Sequence, residues 1–258
     1  MKRLPAIAAI ALAIVLVLLS APGARAQDEI TLAAPGIMKT PFDMLIPGFE
    51  MKTGHKVKAT YGAEDGVRQQ AAKGDPPVDV PVIEAPYDTV IASGNVVAGS
   101  ETALSSIPVG VAVKKGAPKP DISTPDAVKS MLLAAKSIAF PNPAPAAASG
   151  ISVTDSLKRL GIADQLQPKI TLTQGGGRAM TMVANGTAEI GLTFLPGMTD
   201  AGIDIVGTLP NAISTPTRVV GFVSTHAKDP AAAKALLAYL SSPEAAAAYK
   251  ASMMQPGH

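Results

Sequence analysis

Beyond its first 26 residues the chain alternates short runs of β-branched and apolar residues with longer stretches whose apolar residues recur every three or four positions. The short runs read as buried or half-buried strands, the longer stretches as amphipathic helices. Strands are predicted at 30–34, 56–61, 79–83, 107–113, 137–140, 169–173, 189–194, 203–209 and 218–224. Phe42, Leu45, Ile46 and Phe49 fall at i, i+3, i+4 and i+7. They form one face of a helix that Thr40-Pro41 opens and Gly54 closes, with a kink implied at Pro47. Thr124-Pro125-Asp126, Asp229-Pro230 and Ser242-Pro243-Glu244 repeat the cap-then-proline start, and Ala233, Leu236, Leu237 and Leu240 make the apolar face of the penultimate helix. This alternation predicts α/β architecture. The 232 residues after position 26 fit two lobes of about 110 residues with a cleft between them better than one nine-stranded sheet. The proline-rich stretch 141–149 reads as a stiff loop.

The first 26 residues read differently. Lys2 and Arg3 precede an uncharged, mostly apolar run over 4–19, and Ala24-Arg25-Ala26 follows. That order is a secretory signal with cleavage expected after Ala26. The run has 16 residues, short of the roughly 20 that cross a bilayer, and no Cys follows for lipid attachment. An exported protein beginning at Gln27, monomeric and no longer membrane-embedded once the signal is removed, is the expectation.

Charge and composition narrow the function. The 22 Lys and Arg against 20 Asp and Glu become 19 against 20 once the first 26 residues are set aside. With no basic excess, nine aromatic residues and no Trp, the chain lacks the means to hold nucleic acid. The absence of cysteine excludes disulfides, thiolate metal sites, iron–sulfur clusters and a Cys nucleophile. His55, His226 and His258 are scattered, and no Ser–His–Asp order or G-x-S-x-G elbow occurs. No cofactor, metal or catalytic residue is therefore expected.

Three loops carry the remaining chemistry. Gly175-Gly176-Gly177 follows a predicted strand and opens a predicted helix over 178–185, where free N–H groups and the positive helix end suit an anion, although glycines there also serve a plain tight turn. Glu64 and Asp65, between Gly62 and Gly66, place two carboxylates at a helix start, a position the helix dipole favours even without a ligand. Glu84 ends an apolar strand in an equivalent loop.

The ordered phrases ITLAA, PGFEMKTGHKV, DVPVIEAP, GVAVKKGAPKPDISTPDAVKSMLLAAKSIAF, SGISVTDSLKRLGI, GGGRAMTMVANGTAEIGLTF and DPAAAKALLAYLSSPEAAAAYKASMMQPG resemble the molybdate-binding-protein-like group of periplasmic solute-binding proteins. The resemblance runs from about Ile30 to Gly257. It implies a type II periplasmic binding fold: two α/β lobes joined by two crossover strands, lobe 1 from 27–107 plus 215–258 and lobe 2 from 108–214. It also implies capture of a small solute in the interlobe cleft and delivery to the membrane subunits of an ABC importer. The ligand-binding positions it implies are Gly36 and Ile37 in the first loop, Glu64 and Asp65 in the second and Glu84 in the third. In the other lobe they are Ser149, Gly175, Gly176 and Phe194.

Against the serines and tyrosine that molybdate binders of this group offer, these loops carry few hydroxyls and several carboxylates. With Lys39 and Arg178 as the expected cations of the cleft, the local charge sums to about minus one, which repels a tetrahedral dianion. A ligand with a cationic or hydroxyl-rich end and an anionic end, or a carboxylate bridged by a metal, suits the set better. If Glu64 and Asp65 turn outward, N–H groups of Gly36 and Gly176 remain for an oxyanion. An exported enzyme using Glu64, Asp65 or Glu84, and a ligand-sensing partner of a membrane complex, are the alternatives to a receptor.

Overall fold

The computed structural model describes residues 29–144 and 147–257. The predicted signal over 1–26 lies outside the described residues. The chain opens with β1 (Ile30–Pro35), α1 (Lys39–Thr53), β2 (Val57–Gly62), α2 (Glu64–Lys73), β3 (Val80–Glu84), α3 (Asp88–Ala92) and β4 (Thr102–Ile107). It continues through β5 (Val109–Lys114), α4 (Pro125–Ala134), β6 (Ile138–Pro141), α5 (Ala148–Arg159), α6 (Ala163–Leu166), β7 (Ile170–Thr173), α7 (Gly176–Ala184), β8 (Ile190–Phe194) and β9 (Ile203–Thr208). It closes with β10 (Thr217–Gly221), α8 (Pro230–Leu240), α9 (Pro243–Ala251) and β11 (Gln255–Pro256).

Among the described residues two sheets form, one in the order β11-β4-β10-β3-β1-β2 and one in the order β7-β6-β8-β5-β9. The first takes strands from both ends of the chain, the second only from its middle. This is a two-lobed α/β protein of the type II periplasmic binding class.

Position in the sheet explains the strand sequences. The central strands β3 and β8 are covered on both faces and are buried at every residue, whereas β2, at an edge, alternates half-buried and exposed positions along Val-Lys-Ala-Thr-Tyr-Gly. The helices cover the sheets with the faces their periodicity predicts. Phe42, Leu45 and Phe49 of α1 are buried, as are Ala233, Leu236, Leu237 and Leu240 of α8. Thr124 Oγ1 accepts the N–H of Ala127, and Asp229 Oδ1 accepts those of Ala231 and Ala232. α4 and α8 thus start on caps from their own sequence, each with proline in the first turn.

Several expectations are corrected. The single strand at 107–113 is two strands, β4 and β5, divided at Pro108, which has no N–H to continue a ladder. The break is one of the two crossings between lobes; the other runs beside it, with Leu209 N–H donating to Val109 O and Thr217 paired with Ile107. β4 itself was not predicted, because Ser105 and Ser106 dilute its apolar pattern. α1 starts at Lys39, not after Thr40, since a 3-10 turn at Gly36–Met38 runs straight into it and leaves no extended residue to act as a cap. α7 starts at Gly176, two residues before its predicted beginning. Of the predicted loop at 141–149, Pro141 ends β6, residues 145 and 146 lie outside the described residues, and Ala148 already begins α5.

Candidate functional site

In both sheets the strand ends that precede helices face the gap between the lobes, as open α/β sheets arrange their binding sites. Two adjoining cavities occupy it, of ≈ 640 Å³ and ≈ 180 Å³, sharing Glu64, Ser149 and Gly176 in their walls. The smaller is walled from lobe 1 by Gly36, Ile37, Glu64 and Glu84, and from lobe 2 by Ser149, Gly176, Gly177, Thr193 and Phe194. Asp65 and Gly175 line the larger, together with Asn142, Thr173 and Gln174.

The sequence positions proposed for the site therefore gather at one place, except the two cations. Lys39 Nζ sits 2.5 Å from Asp43 Oδ2, one helical turn on, and 5.6 Å from the centre of the Tyr61 ring, where it lines neither cavity. Arg178, on the third position of α7, lines a surface hollow with Leu172 and Met182 that adjoins the larger cavity through Thr173 and Gln174, but it lines neither cleft cavity itself. The positive group beside the acids is instead Arg68, buried in α2 and donating from Nη2 to the backbone carbonyl of Glu84 at 3.2 Å. Arg68 stands four residues after Glu64, on the same helical face, and that spacing is the signal by which the sequence could have named it.

Glu84 is the unusual group. It is 2 % exposed, its carboxyl is hydrogen-bonded to Glu64, and its Oε2 has no hydrogen-bond partner. Burial pushes the carboxyl well above the ordinary glutamate range, the charge of Glu64 and their shared hydrogen bond push it further, and the Arg68 guanidinium opposes them. Glu84 thus holds its proton to a higher pH than an ordinary glutamate does. Glu64, first residue of α2, reaches across the gap, where its Oε1 accepts the backbone N–H of Ala148, first residue of α5. Neither turned outward nor free in the cleft, this carboxylate spans it.

The glycines of the α7 start serve two separate needs. Gly175 has φ +84°, in the left-handed region. A Cβ at Gly176 would collide with the Thr193 hydroxyl, so Gly176 lets the helix start approach β8. Both α5 and α7 begin without a side-chain cap, at Ala147 and Gly175. The first-turn N–H groups of such helices have no intrahelical partner and are available to anionic groups. Thr193, which sequence reasoning missed, supplies a hydroxyl one residue before Phe194; every residue of β8 is buried, so no alternation marked it out.

Two α/β lobes, two crossings and a cleft walled by helix starts from both sides define a solute-binding protein. The family model for bacterial extracellular solute-binding proteins matches residues 30–253, and the chain belongs to that family. Among its relatives, an aconitate isomerase from a Pseudomonas species is 33% identical over 264 residues, covering 98% of this chain and 97% of the relative. The molybdate-binding protein ModA of Azotobacter vinelandii is 29% identical over 228 residues, covering 86% and 88%. The solved periplasmic molybdate-binding protein of Azotobacter vinelandii superposes with a TM-score of 0.67 at 22% identity, covering 87% of this chain and 98% of that one.

Proposed function

We propose that the protein is an exported receptor, released into the periplasm by signal cleavage after Ala26, that captures a small solute in the interlobe cleft and delivers it to the membrane subunits of an ABC importer. In this reading lobe 1 (27–107 with 215–258) and lobe 2 (108–214) close on the ligand, and the residues of the two cavity walls bind it. The observation that carries the reading is the smaller cavity, to which the two lobes contribute Glu64 and Glu84 on one side and Ser149, Gly176 and Thr193 on the other. A ligand there touches both lobes and so favours their closed arrangement. A thermal-shift screen of the exported protein against oxyanions, organic acids, amines and divalent metals tests it, because a solute that binds the folded state raises the melting temperature by mass action. A class of solute that raises the melting temperature supports the reading; a melting temperature unmoved by every class refutes it.

A second reading is favoured by the likeness to aconitate isomerase taken with Glu84. Isomerising an unsaturated organic acid by a proton shift needs a group that takes a proton from one carbon and returns it to another. A buried carboxyl beside a second carboxylate, with its proton affinity raised, meets that description. Incubating the protein with single isomers of aconitate and following their interconversion decides between the readings. Turnover that Glu84→Gln abolishes makes the protein an exported isomerase; binding without turnover leaves it a receptor.

A further inference from the structure

The bond between Glu64 and Ala148 joins the two lobes inside the cavity wall. It connects a carboxylate on lobe 1 with the uncapped start of a 12-residue helix on lobe 2. Glu84, a residue 2 % exposed whose buried Oε2 has no hydrogen-bond partner, lines the smaller cavity that Glu64 also walls. We propose that Glu64 is an internal stand-in for the ligand: its carboxylate holds the N-terminal N–H of α5 that a carboxylate of the solute takes on binding, and Glu84 is the hydrogen-bond partner waiting for that solute.

The inference rests on the receptor reading and names its ligand class. What the start of α5 accepts is visible in the structure, since a carboxylate is already there. Ala147 has no side-chain oxygen with which to cap the helix, so the N–H is left to a group from elsewhere. When Glu64 is displaced it loses its contact with α5. Burial favours the protonated form of Glu84, the form that donates to an arriving carboxylate. Arg68 remains behind both acids to limit their repulsion. The smaller cavity has no titratable lining side chain other than Glu64 and Glu84 among the described residues. The arrangement matches one carboxylate of a small organic acid. A tetrahedral dianion would bring a second negative charge into a wall that already holds Glu64.

The test has two independent arms. Because the chain has no cysteine, Lys58→Cys and Thr171→Cys, at exposed positions of β2 and β7, attach a pair of spin labels, one per lobe, without competing sites. In the ligand-free protein Glu64→Ala is expected to lengthen and broaden the interlobe distance distribution. An unchanged distribution overturns the stand-in whatever the ligand proves to be.

In the second arm, calorimetry with acetate, succinate, citrate and molybdate compares the wild type with Glu64→Ala, Glu84→Gln and Glu84→Ala. At least one carboxylate should bind Glu64→Ala about tenfold more tightly, the effect of removing one competing charge-assisted hydrogen bond. Glu84→Gln, which keeps a donor, should bind that carboxylate, and Glu84→Ala should not. Weaker carboxylate binding to Glu64→Ala than to the wild type, or molybdate bound without any carboxylate, overturns the ligand class. If no solute of any class binds, it is the receptor reading that fails, while the distance arm still decides the role of Glu64.

Discussion

Two helices that open away from the cleft, α4 and α8, and two that open on it, α5 and α7, are built differently in their first turns. α4 and α8, which line neither cavity, carry Thr124 and Asp229 to satisfy their own N–H groups. α5 and α7, which begin in the cavity walls, have Ala147 and Gly175 in the capping position and no side-chain cap. Local helix stability would favour a serine or aspartate at all four starts. α3, α6 and α9 also start without a side-chain cap, so the omission alone does not mark the cleft; what sets the start of α5 apart is the Glu64 carboxylate on its Ala148 N–H, a partner from outside the helix.

Six substitutions, in four steps of decreasing effect, break or sharpen that contrast. The largest effect is expected from Gly176→Val, which forces a branched side chain into Thr193 and drives the start of α7 away from β8. The cost is about 1–3 kcal/mol by overpacking, read in urea denaturation, together with loss of any ligand-induced thermal shift.

Next comes Glu84→Gln. In the unfolded chain Glu84 ionises around its ordinary value of 4.5, whereas the folded protein holds the proton well above it, by burial first and by Glu64 second, against Arg68. Folding then takes up a proton, so the stability linked to Glu84 is fully present below pH 4.5 and is lost as pH rises through the raised folded value. Glutamine does not titrate. The variant should melt above the wild type at pH 8, and the gap should shrink toward pH 4.5. Melting curves whose difference is independent of pH would show that Glu84 is ionised in the folded protein.

A smaller change is expected at the far starts. Asp229→Ala and Thr124→Ala should each cost about 1 kcal/mol of stability, with ligand binding untouched. Loss of binding in either variant would mean that the capped and uncapped starts are not separate in function. The smallest effect belongs to Lys39→Ala and Arg178→Ala, which remove cations outside the cavities. Stability should stay within about 0.5 kcal/mol and ligand affinity should be unchanged by calorimetry.

The sequence carried the strand–helix alternation, the buried faces of α1 and α8 and the capped starts of α4 and α8, because each depends on residues close together in the chain. It also pointed to Glu64, Glu84, Ser149 and Gly176, which the fold brings to one cavity wall. What it concealed depended on distant partners. Lys39 was counted as a cleft cation from its place in the chain, but Asp43 one turn away claims it. Arg68 was overlooked because its role depends on Glu84, which reaches it only when β3 packs against α2. β4 was hidden because Ser105 is a polar residue whose burial follows from packing at the sheet edge, with Met254 beside it, and not from hydrophobicity.

The insertion of β10 between β3 and β4 also sets an order of assembly. All strands of the second sheet lie between Val109 and Thr208, so lobe 2 is complete in sequence while the C-terminal segment is still being made. Among the described residues β4 has as its strand partners only β10 and β11, and β3 meets β10 on the side away from β1. Until the last forty or so residues emerge, β4 has no strand to pair with and β3 has an open edge, a delay that grows from the long sequence separation of these contacts. The acid-bearing lobe is thereby the late-forming one, and a lesion near the C-terminus reaches the cleft through the sheet that carries Glu84, although Thr217 and the residues after it line neither cavity.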